Sequence, residues 1–194
     1  MDQNAQAIGI VQGAANAEVQ EILRALADLW REELRLAGVV AETHGLPDRF
    51  CQAGYLRSLA TGARFSIFND LGPGVAECHL DGIGAAAAAA AVERDIAAGC
   101  DLVVLNKFGK LEIAGGGLAG AFQAAIAARR PLLTSVSPAH DAAWRQFVAQ
   151  DFVVLPADAA AIDKWRRQVQ TTAASSDHRA GPRGSGGGLH RTTD

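Results

Sequence analysis

Short apolar runs alternate with longer segments of mixed polarity along most of the chain. The segment 17–36 has apolar residues three and four positions apart, which is the spacing of an amphipathic helix. Continuous apolar runs that alternate with such helices favour a parallel sheet covered on both faces. The pattern predicts strands at 7–11, 39–41, 101–106, 131–136 and 152–155, and helices at 17–36, 83–98, 118–129, 140–149 and 158–169.

An antiparallel hairpin interrupts this regular alternation. Two more strand-like runs, 54–60 and 64–69, are separated by Thr61-Gly62-Ala63. Gly62 can supply the positive φ that a tight hairpin turn requires. The sequence therefore predicts an α/β fold: a mostly parallel sheet flanked by helices, with an antiparallel hairpin insertion.

Composition marks the ends of the helices and of the domain. Gly38 is expected to end the first long helix, and Gly99 to end the alanine-rich helix. After about residue 171 the sequence is poor in apolar residues and rich in Gly and Ser. We therefore expect a single α/β domain at 1–170 and a disordered tail at 171–194.

The bulk charge argues against two classes of partner. The net charge is -3 and the pI is about 5.9, so the chain has no overall basic field to attract nucleic acid or an anionic membrane surface. The alanine run at 85–91 is interrupted by charged residues at 93–95, well short of a membrane span. The N-terminus lacks a signal-peptide pattern, and the cysteines show no CxxC spacing. These features predict a cytoplasmic protein whose partner is neither nucleic acid nor membrane.

The loop NKFGKLEIAGGG at 106–117 is the first candidate ligand site. It follows a predicted buried strand, and ligands of open parallel sheets lie beyond the carboxyl ends of the strands. Lys107 and Lys110 could neutralise an anion, Gly109 would let the backbone approach it closely, and the glycines at 115–117 offer a mobile flap. The alternative interpretation is that Lys110 and Glu112 are only solvated loop charges.

The loop QGAANA at 12–17 is the second candidate, because it joins the first strand to the first helix. Backbone N–H groups at a helix N-terminus favour an anion, and Gly13 and Asn16 could contribute to such a site. The loop lacks the P-loop pattern GxxxxGK[ST], with no lysine and no second glycine. The alternative is an ordinary turn in which Asn16 is the helix N-cap.

Several of these motifs resemble known families. The region 99–137, with NKFGKLE at 106–112, resembles the Walker B region of the thermophile-type nucleoside-triphosphatase family of P-loop proteins, in which the strand ends in Asp-Glu and continues as Ile-Gly-Lys-Met-Glu. The segment LATGARF also fits that family's insertion. LATG, DLGPG, C-x-L-D at 78–81 and NKFGKLE together resemble more closely a bacterial domain-of-unknown-function family with nucleoside-triphosphatase-like character. The resemblance implies a P-loop NTPase-like fold and a link to molybdenum transport, with which some members are associated.

The departures from the active triphosphatases define the predicted site. Asn106 stands at the position of the magnesium-linked Asp, and Lys107 at that of the catalytic Glu. Replacing that carboxylate by Lys107 changes the local charge by about +2. Hydrolysis by the usual route is therefore not expected, and the site is predicted to bind a nucleotide or an oxyanion such as molybdate, without a metal. The predicted site residues are Gly13, Asn16, Asn106, Lys107, Gly109, Lys110 and Glu112.

Two other constellations carry weaker interpretations. Cys51, Cys78, His44 and His79 could form a soft metal site, although isolated cysteines are more often buried small apolar residues. The cluster at 135–141 contains the residue types of a hydrolase triad, but they are too close in sequence and no GxSxG motif is present. Helix-start roles for His140 and Asp141 are favoured. Trp144, Phe147 and Trp165 are expected in the core.

The sequence leaves three classes of function open. The leading one is a non-hydrolysing nucleotide- or oxyanion-binding protein, accessory to molybdenum metabolism through the resemblance alone. A weak nucleoside triphosphatase with atypical site residues is the second, and a protein-interaction module without a small ligand is the third. The sequence identifies neither the ligand nor the oligomeric state.

Overall fold

The computed structural model describes residues 7–47, 53–69 and 82–177. They form one seven-stranded sheet with helices on both faces. The strands are β1 Ile8–Gln12, β2 Leu36–Thr43, β3 Ala53–Ser58, β4 Arg64–Ser66, β5 Leu102–Leu105, β6 Leu132–Ser135 and β7 Val153–Pro156. The helices are α1 Asn16–Trp30, α2 Gly82–Ala98, α3 Lys110–Ile113, α4 Ala119–Ala127, α5 Asp141–Val148 and α6 Ala159–Asp177, with a 3₁₀ turn at Pro138–His140.

The strand order is β4-β3-β2-β5-β6-β1-β7. The pairs among β2, β5, β6, β1 and β7 are parallel, whereas β3 pairs with β2, and β4 with β3, in antiparallel fashion. The predicted α/β class, with a mostly parallel sheet and an antiparallel hairpin, is confirmed. This architecture is consistent with a P-loop NTPase-like fold.

Two apolar layers hold the helices against the sheet. On one face, Ala88 of α2, Phe122 of α4 and Trp144 of α5 are fully buried in one cluster. On the other face, Leu23 of α1 and Ile162 of α6 are buried in a second cluster. Burial of apolar surface on both faces explains why the strands read as continuous apolar runs.

The large aromatic side chains lie in the core as predicted. Trp144 is fully buried, Trp165 is 7% exposed, and Phe147 packs against the same cluster as Trp144. Phe108 lies edge-on to Trp144 with ring centroids 5.1 Å apart. Because Phe108 follows Lys107, this contact fixes the start of the candidate loop to the core.

The first helix is shorter than predicted. α1 ends at Trp30, and β2 already begins at Leu36, so the expected helix at 17–36 and the helix-ending role of Gly38 are wrong. Gly38 lies inside β2 with φ of +121° and pairs with Val104 of β5. The close approach of the neighbouring strand, and not the end of a helix, requires glycine at this position.

The other helix ends and the hairpin turn follow the sequence more closely. Gly99 follows α2 with φ of +99°, and Gly62 has φ of +76° in the turn between β3 and β4, as expected. α6 extends to Asp177, past the predicted end of the domain at 170, and residues 178–194 of the predicted tail lie outside the described residues. Within the described ranges, no helix is long and apolar enough to cross a lipid bilayer.

Candidate functional site

A cleft of about 960 Å³ opens near the carboxyl ends of β2, β5 and β6. The start of α1 forms one wall, and the loop after β5 forms another. This is the edge of a parallel sheet at which ligands bind in α/β proteins. Six of the seven predicted site residues line the cleft, namely Asn16, Asn106, Lys107, Gly109, Lys110 and Glu112, whereas Gly13 does not.

Among the described residues of the cleft, Lys107 and Lys110 are cations without an acidic partner. Lys107 and Lys110 are exposed, and within the described part of the chain neither side chain has an ion-pair or hydrogen-bond partner. The chain contains only three lysines, so two of them lie in this cleft. A lysine ammonium is a compact charge suited to a phosphate or a similar oxyanion.

The other basic residues of the cleft are paired. Arg24 hydrogen-bonds to Glu21 and lowers the pKa of that carboxyl group, so Glu21 stays charged and balances the arginine. Arg64 lies 2.8 Å from Glu42, which also accepts a 2.7 Å hydrogen bond from Arg57. These ion pairs leave Lys107 and Lys110 as the cations available to an anion.

Glu112 is turned into its own loop. Its side chain is buried, and its carboxylate oxygens accept hydrogen bonds from the backbone N–H groups of Gly109 and Leu118, each at 3.0 Å. We call this arrangement the Glu112 latch. Because both oxygens bond to the backbone, the latch fixes the geometry of the segment that contains Lys110.

A hydrogen-bonded network forms part of the cleft wall between α1, β5 and β6. The side-chain amide of Gln20 donates to the backbone carbonyl of Asn106 at 2.9 Å and to Oγ of Ser135 at 3.0 Å. Ser135 in turn donates to the carbonyl of Asn106 at 3.2 Å. Gln20 Oε1 and Asn106 Oδ1 are buried, and neither has a hydrogen-bond partner among the described residues. We call this set of three residues the polar floor.

Sequence reasoning missed Gln20 as a member of the site. Its partners lie 86 and 115 residues further along the chain, so no local spacing indicates the contact. In the sequence, Ser135 stands out only as a member of the candidate triad at 135–141. Its place at the end of β6, beside β5, could have identified it as a neighbour of Asn106, because adjacent parallel strands end at the same edge.

The start of α1 differs from a P-loop in its backbone as well as in its residues. β1 ends at Gln12 and α1 begins at Asn16, so only three residues connect them. Counting from Gly13 with the spacing GxxxxGK[ST] puts Val19 at the place of the lysine and Gln20 at that of the hydroxyl residue. Val19 is 3% exposed and packs in the core below α1.

The N-cap of α1 also differs from the expectation. The N-cap residue is Ala15, and it makes no side-chain capping hydrogen bond. Asn16 is already the first helical residue, so its predicted role as the N-cap is wrong. Glu18 lies in the first turn, where its charge favours the helix dipole but opposes the approach of an anion.

The residues at 135–141 do not form a triad. Ser137 Oγ lies 3.1 Å from His140 Nδ1, and both residues line the cleft. Asp141 accepts a 2.6 Å hydrogen bond from Gln12, and Ser135 belongs to the polar floor. His140 precedes α5 and Asp141 opens it, which confirms their predicted place at a helix start.

The proposed metal ligands fall largely outside the described residues. Cys51, Cys78 and His79 lie there, so this prediction stays a prediction. The ring of His44 stacks on Phe68 with centroids 4.2 Å apart. In the described ranges, no group of three or more His, Cys, Asp or Glu side chains could hold a metal ion.

Comparison with known proteins gives two matches. Residues 8–165 match the family described as "Protein of unknown function (DUF2478)". Over 145 residues the chain is 37% identical to the molybdenum import ATP-binding protein ModC 2 of Bradyrhizobium diazoefficiens, which corresponds to 74% of this chain. The same stretch is 16% of that relative, so the chain spans less than a fifth of its length. The predicted resemblance to a domain-of-unknown-function family is confirmed.

Proposed function

This chain belongs to the DUF2478 family, and since that family's description assigns no function, we propose one from the cleft itself. The cleft binds a phosphate-bearing molecule or another oxyanion without hydrolysing it. Lys107 and Lys110 are the residues that contact the anion. A nucleotide and a tetrahedral oxyanion such as molybdate are the two ligand types that the binding experiment compares.

One observation carries this proposal: among the described residues, the cationic side chains of Lys107 and Lys110 lack acidic partners, whereas Arg24 and Arg64 of the same cleft have them. Lys107 and Lys110 are three sequence positions apart, and both line the cleft. An anion bound there gains charge-assisted hydrogen bonds from their ammonium groups. The proposal predicts weaker binding at higher salt, because the lysines are exposed and their attraction is screened.

The absence of hydrolysis is proposed from the groups that triphosphatases need. Asn106 stands where a metal-linked carboxylate would be, and Val19 where a phosphate-binding lysine would be. Glu112 is 7% exposed, and both of its carboxylate oxygens already accept hydrogen bonds from the backbone of its own loop. A degenerate P-loop ancestry accounts for both the fold and these substitutions.

The link to molybdenum rests on similarity and stays part of the proposal. The relative is described as a molybdenum import ATP-binding protein, but the matched stretch is only 16% of it. The name of the whole protein therefore does not assign ATP binding to this domain. We propose that the domain is accessory to molybdenum transport or metabolism, as a ligand-binding unit.

A ligand-binding experiment tests the proposal. Thermal shifts and titration calorimetry with ATP, GTP, phosphate and molybdate are expected to show binding to the wild type by at least one of these anions. Lys107→Ala should weaken that binding about tenfold or more, because a hydrogen bond to a charged group contributes about 1.5 to 3 kcal/mol.

Lys164→Ala is the matched control, since Lys164 is the one other lysine of the chain and lies exposed on α6, outside the cleft. It should bind like the wild type. Equal affinity of Lys107→Ala and Lys164→Ala would contradict the proposed role of the cleft. No response to any anion would favour the interaction-module alternative.

A phosphate-release assay separates binding from hydrolysis. With ATP or GTP and Mg²⁺, the wild type is expected to release no phosphate above the rate of the buffer. Phosphate release above that rate would instead support the alternative of a weak triphosphatase.

A further inference from the structure

In the polar floor, hydrogen-bond acceptors outnumber the donors that the described residues supply. Both protons of the Gln20 amide are used, one on the carbonyl of Asn106 and one on Ser135 Oγ. The hydroxyl proton of Ser135 is used on the same carbonyl. Two acceptors remain, Gln20 Oε1 and Asn106 Oδ1, and neither has a donor among the described residues. The floor therefore needs donors from outside itself.

Burial makes this imbalance costly. Asn106 is 7% exposed, and both oxygens are shielded from solvent. A buried acceptor without a donor loses its hydration and gains nothing in return. Because Asn106 and Gln20 both line the cleft, a ligand bound there lies against the two side chains whose oxygens lack a donor among the described residues.

The surrounding charge decides what kind of donor fits. Amide oxygens also bind cations, but Lys107 follows Asn106 directly and has no acidic partner in the described residues. A metal ion would meet this uncompensated positive charge, whereas a neutral N–H or O–H group would not. The ligand must therefore carry a negative charge, which binds the two lysines. It must also carry a hydrogen-bond donor, which binds the polar floor.

We propose that the cleft selects oxyanions that carry a hydrogen-bond donor of their own, with Asn106 and Gln20 as the residues that determine this specificity. The inference rests on the proposed anion binding. Two sources share this chemistry: a phosphate group that keeps a proton, and a nucleotide whose base or ribose supplies the N–H or O–H. Sulfate, molybdate and other fully deprotonated oxyanions are the weaker ligands. Sites built to hydrogen-bond a substrate discriminate strongly against analogues that lack the group.

Two matched pairs of ligands test the inference by calorimetry. At about pH 7.5 inorganic phosphate keeps one proton, whereas sulfate, with a similar charge and shape, keeps none. ATP and inorganic tripolyphosphate form the second pair, which asks whether the nucleoside supplies the donor. In at least one pair, the donor-bearing member is expected to bind about tenfold or more tightly, as a buried hydrogen bond requires.

The variant Asn106→Ala assigns the discrimination to the floor. It should reduce the affinity ratio of the discriminated pair to near one, because it removes the acceptor that only the donor-bearing member uses. Circular dichroism shows whether the variant is folded. If it is not, the two affinity ratios measured on the wild type still test whether the cleft prefers ligands that carry a donor.

The outcomes distinguish this inference from the proposed function. Ratios near one in both pairs, with Lys107→Ala weakening all four ligands, would overturn the donor inference and leave anion binding intact. A ratio unchanged in folded Asn106→Ala would overturn the role of that residue, as expected if a resident water satisfies its oxygen. Failure of these four anions, and of GTP and molybdate, to bind would overturn both proposals.

Discussion

Replacement of Gly38 by alanine is expected to destabilise the domain by about 3 kcal/mol or more. The position has φ of +121°, and a Cβ atom there would lie 1.9 Å from the carbonyl oxygen of Val104. The left-handed conformation costs about 1 to 2 kcal/mol, and the overlap adds a similar amount or more. β2 cannot move away easily, because the carbonyl of Gly38 also accepts a hydrogen bond from Leu59 on its other side.

Gly62→Ala separates the two contributions. Gly62 has φ of +76°, but no heavy atom of the described residues, apart from its chain neighbours, lies within 4 Å of the position of its Cβ. Its substitution should cost only the conformational part, about 1 to 2 kcal/mol. Urea unfolding followed by the fluorescence of the buried Trp30 and Trp144 measures both variants. Equal losses in the two variants would contradict the importance of the close approach between β2 and β5.

The alternating pattern was sufficient to predict the sheet, because burial on both faces leaves a signal in every strand. The prediction of the helix end failed, because glycine serves two different structural purposes. A glycine after an amphipathic segment indicates a helix end, but Gly38 permits close strand packing eight positions after α1 has ended. The spacing of Leu36 from the apolar residues of α1 therefore predicts a helical residue, although Leu36 pairs with Leu102 in the sheet. Pairing across 66 positions leaves no trace in local periodicity.

The position of the candidate cleft follows from the sequence, whereas the contacts of its side chains follow only in part. The rule that ligands lie beyond strand ends predicts Asn106, Lys107 and Lys110 at one edge of the sheet, and all three line the cleft. It could not show that Glu112 is bound to its own backbone, although its place three residues after Gly109 is the spacing of a capping box. Gln20 was missed because its role depends on contacts with two distant strands.

The second large effect is expected from loss of the Glu112 latch. Glu112→Gln replaces one carboxylate oxygen by an NH₂ group, which cannot accept a hydrogen bond from Gly109 or Leu118. One buried N–H group loses its partner, and the other bond loses the charge that strengthens it. We expect a loss of about 2 to 3 kcal/mol, measured by urea unfolding. Faster amide exchange of Gly109 and Leu118 would locate the effect in the loop.

Gly117→Ala tests the same latch without touching the carboxylate. A Cβ atom at Gly117 would lie 2.3 Å from Glu112 Oε1, so alanine must displace the oxygen that holds Leu118. Gly115→Ala is the matched control. Gly115 also has a positive φ, but apart from its chain neighbours none of the described residues has a heavy atom within 4 Å of its Cβ position.

If the latch positions the lysine-bearing loop, Gly117→Ala should weaken anion binding about tenfold and Gly115→Ala much less, because displaced charges lose their geometry with the ligand. The comparison holds the conformational cost of the left-handed backbone nearly constant and varies the contacts of the added Cβ atom, of which the one with Glu112 Oε1 is the shortest. Equal binding by the two variants would mean that Lys107 and Lys110 act as independent exposed charges. The Glu112 latch would then stabilise the fold alone.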